Sequence, residues 1–258
     1  MKVDAVASLR IINNQRLMRA THRGEYRDMG GALALTSDAP PVAWNCLEGF
    51  TTDERRLEGL LDIGFSLLRA FDQAPAVRVT PLDRPRSIAD HLQRRGLVEI
   101  EREMSMIFRG NASQIRTNPA VTVKVCTPED AGAFTNVEVQ ARPVSKGMRP
   151  FLLGANLANI IEKDRTFYLA YANGEPVGTT LVVRDGSTAG IYSVGVLKMQ
   201  RKQGIASTLV ARAISDAQSS GADLVCLETV SGSDAMRLWS SLGFEPAHES
   251  VLWSERGG

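Results

Sequence analysis

The chain carries a short basic turn, Arg201-Lys202-Gln203-Gly204-Ile205-Ala206, between two apolar runs. The run before it, Ile191-Tyr192-Ser193-Val194-Gly195-Val196, is β-rich, and the apolar residues of 205–214 recur at helical spacing. This order predicts a strand, a tight turn and a helix. The first N–H groups of a helix lack intrahelical partners, and the helix dipole favours negative charge there. Since Gly204 allows the backbone to approach a phosphate closely and Lys198 adds charge, the turn predicts a diphosphate site, although similar joints also occur as plain structural turns.

Two further segments flank this turn at regular distances. Upstream, residues 167–179 predict a strand, an Asn-Gly turn and a second strand. Downstream, residues 235–245 predict a helix that ends in Leu-Gly-Phe. The three motifs together resemble the GCN5-related N-acetyltransferase (GNAT) superfamily, whose Arg/Gln-x-x-Gly-x-Gly/Ala pattern is matched by Arg201-x-x-Gly204-x-Ala206. The resemblance covers roughly residues 120–258 and implies an α/β fold, with a mixed central sheet flanked by helices.

The resemblance also implies a reaction and a set of binding residues. The reaction is acetyl transfer from acetyl-CoA to an amine of a small molecule or peptide by direct attack, with no metal. The strand before the turn then offers its backbone to the pantetheine arm, and the turn offers its N–H groups to the diphosphate. The acetyl-CoA-binding residues implied in this way are Val194, Gly195, Val196, Arg201, Lys202, Gln203, Gly204, Ile205 and Ala206.

This sequence departs from the family pattern at two positions. Trp239 stands where the family often has a Tyr that protonates the leaving thiolate, and an indole N–H donates a hydrogen bond but no proton near neutral pH. Gly232 stands where the family prefers Asn, with Ser231 and Ser233 beside it as possible hydrogen-bond donors. Since thiols ionise near pKa ~8.5, the thiolate of CoA can also leave without enzymic protonation.

The acceptor amine must be neutral to attack, so a base is expected. Glu228, Glu138 and Tyr192 are candidates, and the sequence does not select among them. In this family the acceptor lies against the first two helices and their loop, here residues 132–160. Three cations of that region hint at an acidic substrate group, which surface solubility explains nearly as well: Arg142, Lys146 and Arg149.

The two halves of the chain share a pattern. Asn45 to Glu99 and residues 192–245 each run strand, turn, helix, strand, short helix and a Gly-apolar pair. We therefore expect tandem copies, a degenerate GNAT-like domain at 1–114 and a catalytic GNAT domain at 115–258. The equivalent turn of the first copy, Thr51-Thr52-Asp53-Glu54-Arg55, carries two acids and no glycine, so it would repel a diphosphate. An unrelated α/β domain packed on the second half is the alternative.

Outside these motifs, periodicity and turn residues predict further elements. We expect helices at 4–21, from Thr51 onward with Glu54 as capping partner, and at 88–95, 129–141, 151–163 and 233–241. We expect strands at 32–35, 41–46, 77–80, 103–108, 121–125, 166–172, 176–184, 189–196, 223–229 and 250–254.

Composition excludes several classes of protein. With 258 residues, 43% hydrophobic and 23% charged residues and a net charge of +1, the chain has no overall attraction for nucleic acid or an anionic membrane. Its three cysteines and three histidines are scattered, which argues against disulfides and a zinc site. Neither a signal peptide at Met1–Ala5 nor a run of ~18 apolar residues is visible, so we expect a cytoplasmic protein.

Two other functions stay open at this point. A non-catalytic acyl-CoA-binding or regulatory module would keep the diphosphate turn and tolerate the changes at Gly232 and Trp239. An acyltransferase on the same fold would use a longer acyl-CoA or another acyl donor. The sequence does not indicate the acceptor or the oligomeric state.

Overall fold

The computed structural model describes residues 4–21, 24–39, 41–142 and 146–255. The first half contains α1 (Ala5–Ala20), β1 (Glu25–Asp28), β2 (Leu33–Thr36), β3 (Cys46–Glu48), α2 (Glu54–Ala70), β4 (Ala76–Val79), α3 (Ile88–Arg94) and β5 (Val98–Phe108). The second half contains β6 (Val121–Val125), α4 (Ala131–Ala141), α5 (Arg149–Asn159), β7 (Arg165–Ala172), β8 (Glu175–Asp185), β9 (Thr188–Val196), α6 (Ile205–Ser219), β10 (Leu224–Val230), α7 (Asp234–Ser241) and β11 (Phe244–Ser254).

All of these strands join one mixed sheet, in the order β1-β2-β3-β4-β11-β5-β10-β9-β8-β7-β6. The pairs β3/β4 and β9/β10 are parallel. Strand β5 of the first half lies between β10 and β11, and β11 of the second half lies between β4 and β5. Each half therefore places its last strand against the sheet of the other half.

Helices cover both faces of the sheet. In the second half α6 and α7 pack on one face, over a core that includes Trp239 and Phe244 and receives Met106 and Phe108 from β5. On the opposite face α4 and α1 cover a second core around Phe134 and its neighbours. In the first half α2 packs against β4 and β11, where the core includes Trp253. The exchanged strands thus contribute buried side chains to cores on both sides of the molecule.

The order β3-α2-β4-α3-β5 is repeated as β9-α6-β10-α7-β11. This is the parallel between the two halves that the sequence predicts. The parallel pair is followed in both cases by an antiparallel strand taken from the other half. The repeated order and pairing support a tandem arrangement. The division at residues 114 and 115 remains a prediction, and the sheet runs across it.

Most predicted elements are confirmed, with four corrections. Residues 42–44 form a 3-10 turn, because the Asn45 side chain bonds the backbone at residues 37, 39 and 41 and bends the predicted strand. Helix α2 is capped by Asp53 rather than by Thr51. Strands β5 and β11 are longer than predicted because they pair with each other along most of their length. Strand β1 was not predicted, since its sequence Glu-Tyr-Arg-Asp shows no apolar alternation. Of the predicted acceptor loop, residues 143–145 lie outside the described residues.

The three cysteines are free and buried. Burial raises the pKa of Cys126 and of Cys226 to about 12, so neither thiol ionises near neutral pH. Within the described ranges no three His, Cys, Asp or Glu residues are grouped to hold a metal ion. No helix in the same ranges has both the length and the apolar content of a membrane span.

Candidate active site

The parallel strands β9 and β10 separate toward their carboxyl ends. They pair over Thr188–Ile191 and Leu224–Leu227, and the pairing stops there. Past that point β9 is irregular, because its register with β8 shifts and Ser193 adopts a φ of 49°. The edge of β9 that faces β10 therefore has no strand partner from Ser193 onward. A cleft of about 190 Å³ opens between the two strands and α7.

The basic turn lies at the start of α6, directly after β9. Gly204 has a φ of 74° and is followed by the first helical residue, which makes the backbone concave toward an anion. No acceptor among the described residues meets the N–H groups of Ile205, Ala206 and Ser207. Since Thr208 N already bonds Gly204 O at 3.0 Å, these three groups are the unsatisfied donors of the helix. The turn thus has the geometry of a phosphate site.

The side chain of Arg201 has a structural role in this region. Its guanidinium donates to Val196 O at 3.2 Å and to Ala141 O at 2.8 Å. The guanidinium therefore links the end of β9 to the end of α4. Its charge lies beside the turn, and its hydrogen bonds to these two carbonyl groups hold it there. Lys202 and Gln203 are exposed, and no ion pair engages Lys202 within the described chain.

The remaining predicted binding residues divide into backbone and core positions. Val196 and Ile205 are buried in the core beneath α6, so only their backbone groups are available to a ligand. Val194 and Ala206 are half-buried and pack at the margin of that core. A Cβ on Gly195 would lie 2.9 Å from the Cβ of Ala141, so this glycine allows α4 to pack closely against β9. The structure thus brings all nine predicted residues to one region.

Trp239 lies in the cleft, on the side of α7 that faces β9. Its side chain is buried in the core, and its indole N–H has no hydrogen-bond partner among the described residues. The nearby serines are engaged elsewhere: Ser233 caps α7 through Met236 N, and Ser231 donates to Glu249. The indole is therefore the free donor on this wall of the cleft.

The three candidate bases have different surroundings. The hydroxyl of Tyr192 donates to the Asn14 side chain at 2.7 Å, and burial raises its pKa well above 10. Glu138 is buried and accepts hydrogen bonds from Arg142 and Asn156. Glu228 lines the cleft and is half-buried. Of the three, Glu228 is the carboxylate that a substrate in the cleft would meet.

Arg19 orients the Glu228 carboxylate, and this role of Arg19 was not predicted from the sequence. Its guanidinium lies 3.3 and 3.4 Å from the two Glu228 oxygens and 3.2 Å from Glu48 of the first half. Both carboxylates raise the pKa of Arg19 against the opposing effect of its burial. The helical spacing of Ile11, Gln15 and Arg19 places them on one face of α1, and this spacing could have indicated that Arg19 is buried.

The predicted acceptor region includes α4 and α5, and Arg142 directly follows α4. Arg142 lines the cleft and donates to Glu138 at 3.0 Å and to Ser193 at 3.1 Å. Arg149 lies elsewhere and donates to Asn136. Phe151 of α5 stacks on Trp44 of the first half, with ring centroids 6.3 Å apart. Of the two predicted cations whose side chains the structure describes, Arg142 is thus the one placed at the cleft. The first half contacts α5, one of the two helices predicted to hold the acceptor.

The equivalent turn of the first half is closed. The Asp53 carboxylate accepts from the N–H groups of Arg55 and Arg56 at the start of α2, both at 3.0 Å. It therefore occupies the position that an anion would need and adds negative charge there. This agrees with the predicted absence of a diphosphate site in the first half.

The chain is similar to known proteins both in sequence and in structure. Residues 133–244 match the model of the acetyltransferase (GNAT) family. Among solved structures, a GCN5-related N-acetyltransferase from Kribbella flavida aligns over 96% of each chain with a TM-score of 0.73 and 19% identity. One from Sphaerobacter thermophilus aligns over 93% of this chain and 84% of its own, with a TM-score of 0.68 and 17% identity.

A third similar structure is a tandem GNAT protein from the clavulanic acid biosynthesis pathway. It aligns over 90% of this chain and 81% of its own, with a TM-score of 0.65 and 15% identity. No curated protein sequence matches the chain. Residues 133–244 thus resemble the GNAT acetyltransferase family in sequence, and the chain as a whole has the fold of solved GNAT proteins.

Proposed function

We propose that the protein transfers an acetyl group from acetyl-CoA to an amine of a small molecule or peptide, by direct attack at the cleft between β9 and β10. The observation that carries the proposal is the adjacency of two unsatisfied backbone surfaces. The free edge of β9 begins at Ser193. The three free N–H groups of α6 lie after the basic turn that follows β9. An extended ligand with an amide-bearing arm and a diphosphate would satisfy both surfaces at once.

The residues present fit acetyl-CoA. Val194 and Val196 would bind its pantetheine amides through their backbones, and the N–H groups at Ile205 and Ala206 would bind its diphosphate. A Cβ at Gly204 would meet Asn118 at 3.4 Å and would also force a residue with a side chain to a φ of 74°. When bound, acetyl-CoA supplies an activated thioester, and the protein supplies alignment and hydrogen bonds.

Glu228 is the residue we assign to the acceptor amine. It accepts a proton from the ammonium, directly or through water, and so leaves a nitrogen lone pair free to attack the thioester carbonyl. The new C–N bond forms as the C–S bond breaks, the sulfur leaves as a thiolate, and the second proton lost by the amine nitrogen passes to solvent or to that thiolate. Arg19 holds the Glu228 carboxylate in place through both of its oxygens.

Trp239 takes part as a hydrogen-bond donor to the reacting group and not as an acid, because an indole does not release its proton at neutral pH. The sulfur then leaves without a proton from the protein, so its departure depends on the pKa of the thiol itself, which is ~8.5 for an ordinary thiol. The expected consequence is a slower reaction than a site with a proton donor provides.

The position of Trp239 also favours a second candidate, a module that binds acyl-CoA without turning it over. A longer acyl donor is a variant of the first proposal. Release of free CoA thiol, measured with acetyl-CoA and longer acyl-CoA against a panel of amines, separates these functions. Turnover above background with acetyl-CoA supports the proposal, and binding without turnover supports the module.

The matched variants are Gly204→Glu and Gly221→Glu. Both glycines have positive φ, and they lie at opposite ends of α6. The Gly204 variant places a carboxylate in the diphosphate turn and should lose turnover. The Gly221 variant imposes similar backbone strain and should keep it. Equal activity in the two variants would refute the placement of the donor.

A further inference from the structure

The lining of the cleft between β9 and β10 contains one charge of each sign. Among the described residues that line it, Arg142 is the cation and Glu228 is the anion. Tyr192 stays neutral, because burial raises the pKa of its hydroxyl well above 10. The volume of the cleft, about 190 Å³, lies below the range of drug-sized ligand sites. The cleft therefore offers two opposite charges to a small reacting group.

The guanidinium of Arg142 is held in place at one of its nitrogens. Nη1 donates to Glu138 Oε1 at 3.0 Å and to Ser193 Oγ at 3.1 Å. Glu138 is itself buried, and its other carboxylate oxygen accepts from Asn156 at 3.1 Å. The chain thus fixes Arg142 through a buried carboxylate, much as it fixes Glu228 through the buried guanidinium of Arg19.

The other side of the same guanidinium is free. Nε and Nη2 of Arg142 have no acceptor among the described residues, since both of its hydrogen bonds and its ion pair are made by Nη1. The N–H groups of Nε and Nη2 run parallel, which is the geometry that binds both oxygens of a carboxylate. Because 34% of the side chain is exposed, a ligand can reach it. Arg142 therefore presents an oriented, unpaired binding edge for a carboxylate.

We propose that the acceptor is a small amino acid, whose amine meets Glu228 and whose carboxylate binds the Nε–Nη2 edge of Arg142. The inference rests on the proposed function, because it names the acceptor of the same cleft. The carboxylate takes no part in the bond changes, and it contributes binding and alignment of the amine. An amide of the same amino acid keeps the amine but offers no negative charge to Arg142, so the site selects the free acid.

Thiol release with acetyl-CoA and paired acceptors tests this. The pairs are free α-, β- and γ-amino acids and their primary amides. For the pair that reacts best, kcat/KM of the wild type should be on the order of 10- to 100-fold higher for the acid, the usual effect of a charge-assisted contact. Arg142→Gln should remove this preference, mainly by raising KM for the acid, and should leave kcat/KM for the amide unchanged. Arg142→Lys should retain part of it, since lysine keeps the charge without the bidentate geometry.

Arg149→Gln is the matched control. Arg149 is exposed, donates to Asn136 and lies outside the lining of the cleft, so its variant should keep the preference for the acid. Since Arg142→Gln leaves the Glu138 carboxylate buried without its cation, thermal unfolding is measured alongside, and the wild-type comparison needs no variant.

Two results would overturn the inference and leave the proposed function standing. One is a wild-type kcat/KM that is equal for acids and amides, or higher for the amides. The other is an equal loss of the preference in the Arg142 and Arg149 variants, or no loss in Arg142→Gln. Failure to acetylate any amine of the panel would overturn the proposed function and the inference with it.

Discussion

The contact between Arg19 and Glu228 joins the two halves of the chain at the proposed catalytic carboxylate. Glu228 lies on β10 of the second half, and the guanidinium that orients it comes from α1 at the start of the chain. The same guanidinium contacts Glu48 on β3. A substrate amine in the cleft would therefore meet a carboxylate whose position depends on both halves.

Glu228→Gln should lower the rate of acyl transfer by about 10²–10⁴-fold at neutral pH, the usual effect of removing a positioned base. Acetyl-CoA affinity should change little, because Glu228 lies beyond the diphosphate turn. Thiol release and calorimetry measure the two quantities separately. Glu245→Gln, at an exposed position, is the control. Full activity in Glu228→Gln would remove this residue from the proposal.

At the scale of elements, local pattern predicted most helices and strands, since periodicity and capping are properties of neighbouring residues. It located the strand, turn and helix around Gly204 correctly. It did not predict that β5 and β11 each pair with a strand of the other half, because strand pairing depends on the whole sheet. For the same reason the motif did not predict that the Arg201 guanidinium bonds carbonyl groups 5 and 60 residues away in sequence.

Arg201 and Lys202 should therefore behave differently when replaced. Arg201→Met removes two hydrogen bonds that join β9 to α4, and it should cost about 1–3 kcal/mol of unfolding free energy. Lys202→Ala should leave stability unchanged and weaken acetyl-CoA binding about two- to fivefold, an effect that fades with salt. Urea unfolding and titration at two salt concentrations distinguish them. The reverse pattern would contradict these assignments.

At the scale of the molecule, the halves are joined by more than a linker. The core beneath α6 and α7 includes Met106 and Phe108 of β5, and β10 pairs with β5 along one edge. The core beneath α2 includes Trp253 of β11. Because each core contains side chains from the other half, the halves should depend on each other to fold.

Residues 115–258 expressed alone should consequently lack a cooperative thermal transition. The loss of β5 exposes apolar surface in the α6–α7 core and leaves β10 with an open edge. Co-expression with residues 1–114 should restore a soluble 1:1 complex. Circular dichroism and size-exclusion chromatography give the readout. A monomeric, cooperatively melting 115–258 fragment would show that the strand exchange is dispensable.

The most direct test of the account is the stoichiometry of acetyl-CoA binding to the full-length protein by calorimetric titration. We predict one site per chain, abolished in Gly204→Glu, because the N–H groups at the start of α6 are free while Asp53 occupies those at the start of α2. Two sites per chain would contradict the closed first turn. No detectable binding would contradict the central claim that the β9–α6 turn holds an acyl donor.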